Sequence, residues 1–296
     1  MREDSAVSGI VVGVDGSAAA TAAVRWAAGE AAMRNVGLTI VHASPPVMPE
    51  SSLIAWTGPT PAEVLRAQDE HAHRVLDDAA VTARDAAPGV RVHTTAIVAA
   101  PVAALLDLAE QTQMMVVGRR GRLSLAGVSF GSVSTAMVHR ARCPVAVIHD
   151  DPDREAVSPE APVVVGIDGS PSAERATAIA FDEASWRGVE LVALHASCDS
   201  DPFGIHELEW AVVKPKAMAA LAERLAGWQE RYPDVPVRRV LAFDRPAHHL
   251  VEAAATAQLV VVGSRGHGEA TGLLLGSVSG AVVQATRTPV IVARGG

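Results

Sequence analysis

Three glycines and a serine in each half of this chain are spaced as if to hold an anion. Gly118 and Gly121 are separated by two residues, Gly121 and Gly131 by nine, and Ser132 follows. Gly263, Gly266, Gly276 and Ser277 repeat that spacing. Glycine leaves the backbone N–H accessible and tolerates positive φ. A helix opening at Ser132 or Ser277 would add orphan N–H donors and the positive end of its dipole. A phosphate fits such donors. The bland alternative is a strand-to-helix turn that binds nothing, and duplication at identical spacing weighs against it. The P-loop pattern G-x-x-x-x-G-K-[ST] is absent, and the only lysines, Lys214 and Lys216, lie far from both loops. The G-x-G-x-x-G fingerprint is absent after the first strand. A Walker-type ATPase is therefore not expected.

A second pair of groups comes earlier in each half. Gly13-Val14-Asp15-Gly16-Ser17 recurs as Gly166-Ile167-Asp168-Gly169-Ser170. Asp15 and Asp168 could read adenine or ribose, or could cap the helix that follows. His42 and His195 also recur, and read as packed histidines with a satisfied hydrogen bond. His71-x-His73 and His248-His249 point to different helix faces, so metal binding is not expected. Cys143 is replaced by Thr288 in the second half, which argues against a required thiol. Trp56 and Trp210 could cover a base or simply pack.

These residues must be positioned by a duplicated domain. Val11–Ala20 matches Val164–Ala173, Glu30-Ala31 matches Glu183-Ala184, and Pro144 matches Pro289. A period of about 150 residues is too long for a solenoid and means two copies of one domain. The acidic, proline-rich segment His149–Pro162 reads as a linker. Domains are accordingly expected at 1–150 and 162–296, joined by 151–161. In the first copy, apolar strands are expected at Ile10–Val14, Leu38–His42, Val90–Val98, Met114–Val117 and Pro144–Ile148. Helices are expected at 17–34, 62–86, 102–110 and 132–140, and the second copy repeats this order. The fold class is α/β: two tandem doubly wound Rossmann-like domains, each a five-stranded parallel sheet. Ligands in such sheets sit beyond the carboxyl ends of the strands, where strand order reverses. The Asp15 and Gly118 motifs both fall there.

Composition narrows the function classes. Lys+Arg is 25 against Asp+Glu 33, a net charge of −8 with pI ≈ 5.7, so no nucleic-acid partner is expected. The longest apolar run, Ala96–Leu106, is broken by Pro101 and falls short of the ~18 residues a membrane span needs. The polar start Met1-Arg-Glu-Asp-Ser is unlike a secretory signal. With only Cys143 and Cys198, no disulfide framework or metal spacing is expected, and the expected compartment is the cytoplasm.

With these motifs in place, the chain resembles the universal stress protein family, in its ATP-binding branch, once per half and over essentially its whole length. Its alanine, valine and arginine richness, with LAERLAGWQERYP, is most similar to mycobacterial-type tandem members. The resemblance implies the adenine-nucleotide alpha-hydrolase-like variant of the fold and one ATP site per domain, with or without Mg²⁺. Adenine would lie near Gly13, Asp15 and Ala43, and near Gly166, Asp168, Ala196 and Asp199. Ribose and phosphates would lie along Gly118, Gly121, Gly131, Ser132 and Val133 in the first copy. Arg119, Arg120 and Arg122 could pair with the phosphates or form a solvated basic patch. The second-copy equivalents are Gly263, Ser264, Arg265, Gly266, His267, Gly276, Ser277 and Val278. Gly268 meets Leu123 in the first copy and reads as local turn chemistry. The implied role is a nucleotide-dependent regulator of stress response or growth arrest, without catalytic residues and working as a homodimer with pseudo-dimeric halves. A slow ATPase or phosphoryl or adenylyl transferase is the enzyme alternative. A nucleotide-free scaffold dimerising through exposed fifth-strand edges is the other.

Overall fold

In a computed structural model, the described residues are 9–46, 61–121, 130–150, 157–197, 207–266 and 275–294; of residues 61, 197 and 207–213 only the backbone is described. The chain divides into two compact units, Met1–Cys143 and Pro144–Gly296.

The first unit contains β1 (Ile10–Gly13), α1 (Ala18–Met33), β2 (Leu38–Ser44), α2 (Pro61–Ala86), β3 (Val92–Val98), α3 (Pro101–Leu108), β4 (Met114–Gly118) and α4 (Ser132–Arg140). The second begins with β5 (Val145–Ile148) and β6 (Val163–Gly166), followed by α5 (Pro171–Arg187), β7 (Leu191–Ser197) and α6 (Glu207–Arg231). It ends with β8 (Val237–Phe243), α7 (Pro246–Ala254), β9 (Leu259–Gly263), α8 (Ser277–Ala285) and β10 (Val290–Ala293).

The first unit's strands run in the order β3-β2-β1-β4, all parallel. The chain winds outward from β1 to β3, then returns to place β4 on β1's other side. That reversal opens a crevice between the ends of β1 and β4. The second unit repeats it as β8-β7-β6-β9-β10, also parallel. Strands β1, β4, β6 and β9 are buried apart from their terminal glycines, as both-face coverage requires. Edge strands β3 and β8 are only partly buried.

Strand β5 concludes the first sequence repeat but ladders antiparallel to β10, with Val147 opposite Val290 and Val145 opposite Val292. Its four residues are all buried. A buried edge must find partners for its backbone groups, and the twin fifth strand supplies them.

Both first helices start alike. Ser17 and Ser170 are the N-caps, accepting from the N–H of Ala20 and Ala173 at 3.2 Å. Each cap follows a glycine in the left-handed region, Gly16 at φ 78° and Gly169 at φ 82°. Large side chains brace the second unit: Phe181 stacks on Trp228 and Tyr232 at 5.8 and 5.5 Å between centroids. The Tyr232 hydroxyl donates to Asp182 Oδ1 at 2.6 Å. Partial burial, and then the hydrogen bond and charge of Asp182, push the phenol above its usual value. With the folded pKa raised, this contribution is fully present below the unfolded phenol's pKa and is lost as pH rises through the folded one. Tyr232→Phe is expected to lower stability by about 1 kcal/mol at neutral pH, with the deficit vanishing in strong alkali. Urea unfolding at the two pH values checks this.

Candidate functional site

Beyond the carboxyl ends of β1, β2 and β4 lies a cavity of about 600 Å³. That is within the ~300–1,000 Å³ range of small-molecule sites. Gly13 and Asp15 line it from the end of β1, Ala43 from β2, and Gly118, Arg120 and Gly121 from the end of β4 and the loop beyond. Gly131, Ser132 and Val133 close it at the start of α4. Nine residues singled out from sequence thus share one wall.

The loop after β4 is clasped at its root. The carbonyl of Arg119 accepts from the N–H of Gly131 at 2.9 Å and from Ser134 Oγ at 2.8 Å. Arg119 therefore holds the loop through its backbone and is not among the lining residues. The Gly131 N–H is spent inside the loop, so donors at this helix end fall to Ser132 and Val133. The N-cap glycine makes no side-chain capping bond, which leaves the end of α4 suited to an outside acceptor.

Asp15 has two jobs. Its Oδ1 accepts the Ser17 N–H at 3.0 Å, shaping the turn into α1. Its Oδ2 lies 2.6 Å from where a Cβ on Gly121 would stand. A side chain at Gly121 would have to displace that carboxylate. Gly118 has a different neighbour: a Cβ there would meet the Ala19 backbone at 2.7 Å. Helix α1 packs directly on that glycine.

His42 is buried, with Nδ1 2.9 Å from the Val14 carbonyl. Its ring meets His71 edge-on at 5.8 Å, and both line the cavity. His195 repeats the bond to Ile167 at 2.7 Å.

The second unit keeps the framework. Gly166, Ala196 and Gly263 lie on β6, β7 and β9, and Asp168 follows β6. Asp168 Oδ1 accepts the Ser170 N–H at 2.9 Å, and Gly266 faces Asp168 Oδ2 at 2.7 Å from its would-be Cβ. Ser264 takes the part of Arg119: its carbonyl accepts from Gly276 N–H at 2.8 Å and Ser279 Oγ at 3.3 Å. Ser277 and Val278 open α8. In this half the Arg265 carbonyl also accepts from Ser170 Oγ at 3.1 Å and from Ser172 Oγ. Arg122, Asp199, His267, Gly268, Trp56 and Cys198 lie outside the described residues, as does the Trp210 side chain. His248 and His249 depart from expectation. Both rings reach Glu252, at 3.2 and 3.3 Å, because i+3 and i+4 are both neighbours on a helix.

The model of the universal stress protein family matches residues 8–149 and again 161–294. A universal stress protein of Mycobacterium tuberculosis is 49% identical, over 97% of this chain and 97% of its own. The chain belongs to the universal stress protein family. A universal stress protein of Mycolicibacterium smegmatis is 45% identical over 99% of both chains. A solved universal stress protein from Archaeoglobus fulgidus superimposes at a TM-score of 0.69 over 97% of this chain and 98% of its own. At 20% identity that likeness speaks for the fold.

Within this universal stress protein, sequence motifs did not point to Val41, His71, Pro101, Leu105 or Phe130, which also line the cavity. A signal for two of them existed. Pro101 and Leu105 recur as Pro246 and Leu250, and these leucines pack on the glycines that end β1 and β6. A Cβ on Gly13 would meet Leu105 at 2.9 Å, and one on Gly166 would meet Leu250 at 3.1 Å. A repeated leucine on an amphipathic helix reads as core, so nothing marked it as a wall.

Proposed function

We propose that each half of this protein binds ATP at the crevice between its first and fourth strands, and that the chain acts as a nucleotide-dependent regulator of stress response or growth arrest. The observation carrying this is the first unit's cavity, where an apolar floor meets a helix N-terminus and two glycines kept bare by close neighbours. The base would lie between Gly13, Asp15 and Ala43, with Val41, Pro101 and Leu105 as its apolar surroundings. The phosphates would run along Gly121, Ser132 and Val133, with Arg120 reaching them from the rim. In the second half the same path follows Gly166, Asp168 and Ala196, then Gly266, Ser277 and Val278. ATP would supply the signal through its binding, and the chain's own groups orient it. On this reading the modules are 1–150 and 162–296, joined by 151–161, and the protein works in the cytoplasm as a homodimer.

Equilibrium dialysis with ATP is expected to show saturable binding of two nucleotides per chain. Arg120→Gln is expected to weaken the first site about tenfold, the loss of one charge-assisted hydrogen bond. No binding above background would overturn the proposal. Steady phosphate release abolished by Asp15→Ala with Asp168→Ala, in a folded protein, would favour the slow ATPase.

A further inference from the structure

Beside the main cavity, helices α1 and α2 leave a second cleft of about 280 Å³. Val14, Ala20 and His71 line both spaces and form the wall between them. The cleft has an apolar floor of buried Val14, Ala20, Val24, Val75 and Ala79. Its rim is polar, made by Thr21, His71, Arg74, Asp78 and Thr82.

The second half places an ion pair at the equivalent position. Thr21 stands four residues after the N-cap Ser17, and Glu174 four after the N-cap Ser170. Counted back from the ends of α2 and α6, Ala79 and Arg224 are equivalent. Arg224 Nη1 lies 3.6 Å from Glu174, and its guanidinium carbon lies 2.6 Å from the would-be Cβ of Gly169. An ion pair in one copy is thus replaced by threonine and alanine in the other, where the cleft lies.

We propose that the first half carries a second ligand site, for a small apolar α-amino acid. The floor takes an apolar side chain, and the rim offers one cation and one anion a helical turn apart on α2. Arg74 takes the carboxylate; its Nη1 is 3.9 Å from Glu70, a contact at the limit of ion pairing between two exposed groups. Asp78 takes the ammonium. The Thr21 and Thr82 hydroxyls donate to the carbonyls of Ser17 and Asp78, so towards a ligand they present only acceptor lone pairs, which suits an ammonium. A lone anion would face Asp78 unfavourably, and a lone cation Arg74, so the pair selects a zwitterion.

Equilibrium dialysis of the full chain against labelled L-leucine tests this. One saturable site per chain is expected. 4-Methylpentanoate and isoamylamine, each with one charge, are expected to compete at least tenfold less well. Arg74→Gln and Asp78→Asn are each expected to weaken leucine binding about tenfold. Thr21→Glu with Ala79→Arg, which copies the second half's ion pair, is expected to abolish it. ATP dialysis and the melting temperature of that double variant verify its fold. Absence of saturable leucine binding overturns the proposal, as does binding that survives the double variant or an analogue that binds equally well.

Discussion

Arg34→Met and Arg187→Met are each expected to destabilise their own half by about 3–5 kcal/mol, the usual result of stripping one partner from a buried ion pair. Glu30 is 1% exposed and pairs with Arg34 at 2.6 Å; Glu183 is 0% exposed and pairs with Arg187 at 2.8 Å. Each acid lies one turn before its arginine near the end of the first helix. Removing the guanidinium takes the countercharge from a carboxylate that is almost wholly out of water. Glu30→Gln added to Arg34→Met is expected to recover part of the loss at neutral pH. Chemical unfolding followed by circular dichroism measures all of these. A loss below about 1 kcal/mol, as for exposed pairs, would contradict the burial argument.

Gly118→Val is expected to lower stability by about 3 kcal/mol, at or beyond the upper end for overpacking, because the obstacle is backbone. The added Cβ would stand 2.7 Å from the Ala19 carbonyl carbon and 2.8 Å from its oxygen. Gly263→Val meets Ser172 and the Ala173 nitrogen at 2.7–2.9 Å and is expected to behave alike. Gly121→Ala and Gly266→Ala provide the contrast. Their Cβ atoms meet only the movable carboxylates of Asp15 and Asp168. They are expected to keep the melting temperature near that of the parent while lowering ATP affinity at the altered site. Thermal unfolding alongside dialysis separates the pairs. If Gly118→Val melts like the parent but loses ATP, that glycine serves the ligand and not the helix.

Much of this was legible in the residues. The β-branched runs marked the five first-copy strands to within about two residues, since a strand covered on both faces must be apolar throughout. The internal repeat supplied the architecture; glycine spacing picked out Gly118, Gly121, Gly131 and Ser132, and the family resemblance the other expected cavity residues. Two kinds of information were missing. One was which of two neighbours a glycine serves: Gly118 and Gly121 look alike in sequence, yet one receives a helix backbone and the other a carboxylate. The other was any residue whose type reads as ordinary core, such as Leu105 or Val41.

By itself the sequence determined two α/β halves of one family, the motif positions and the order of elements, because periodicity and spacing are local properties. Only the tertiary structure decided that β5 ladders against β10, that Arg119 acts through its carbonyl, and that Arg224 pairs with Glu174 in one half where the other has a cleft between its first two helices. Each of those depends on which surfaces meet across long sequence separations, and contact at such distances is set by packing.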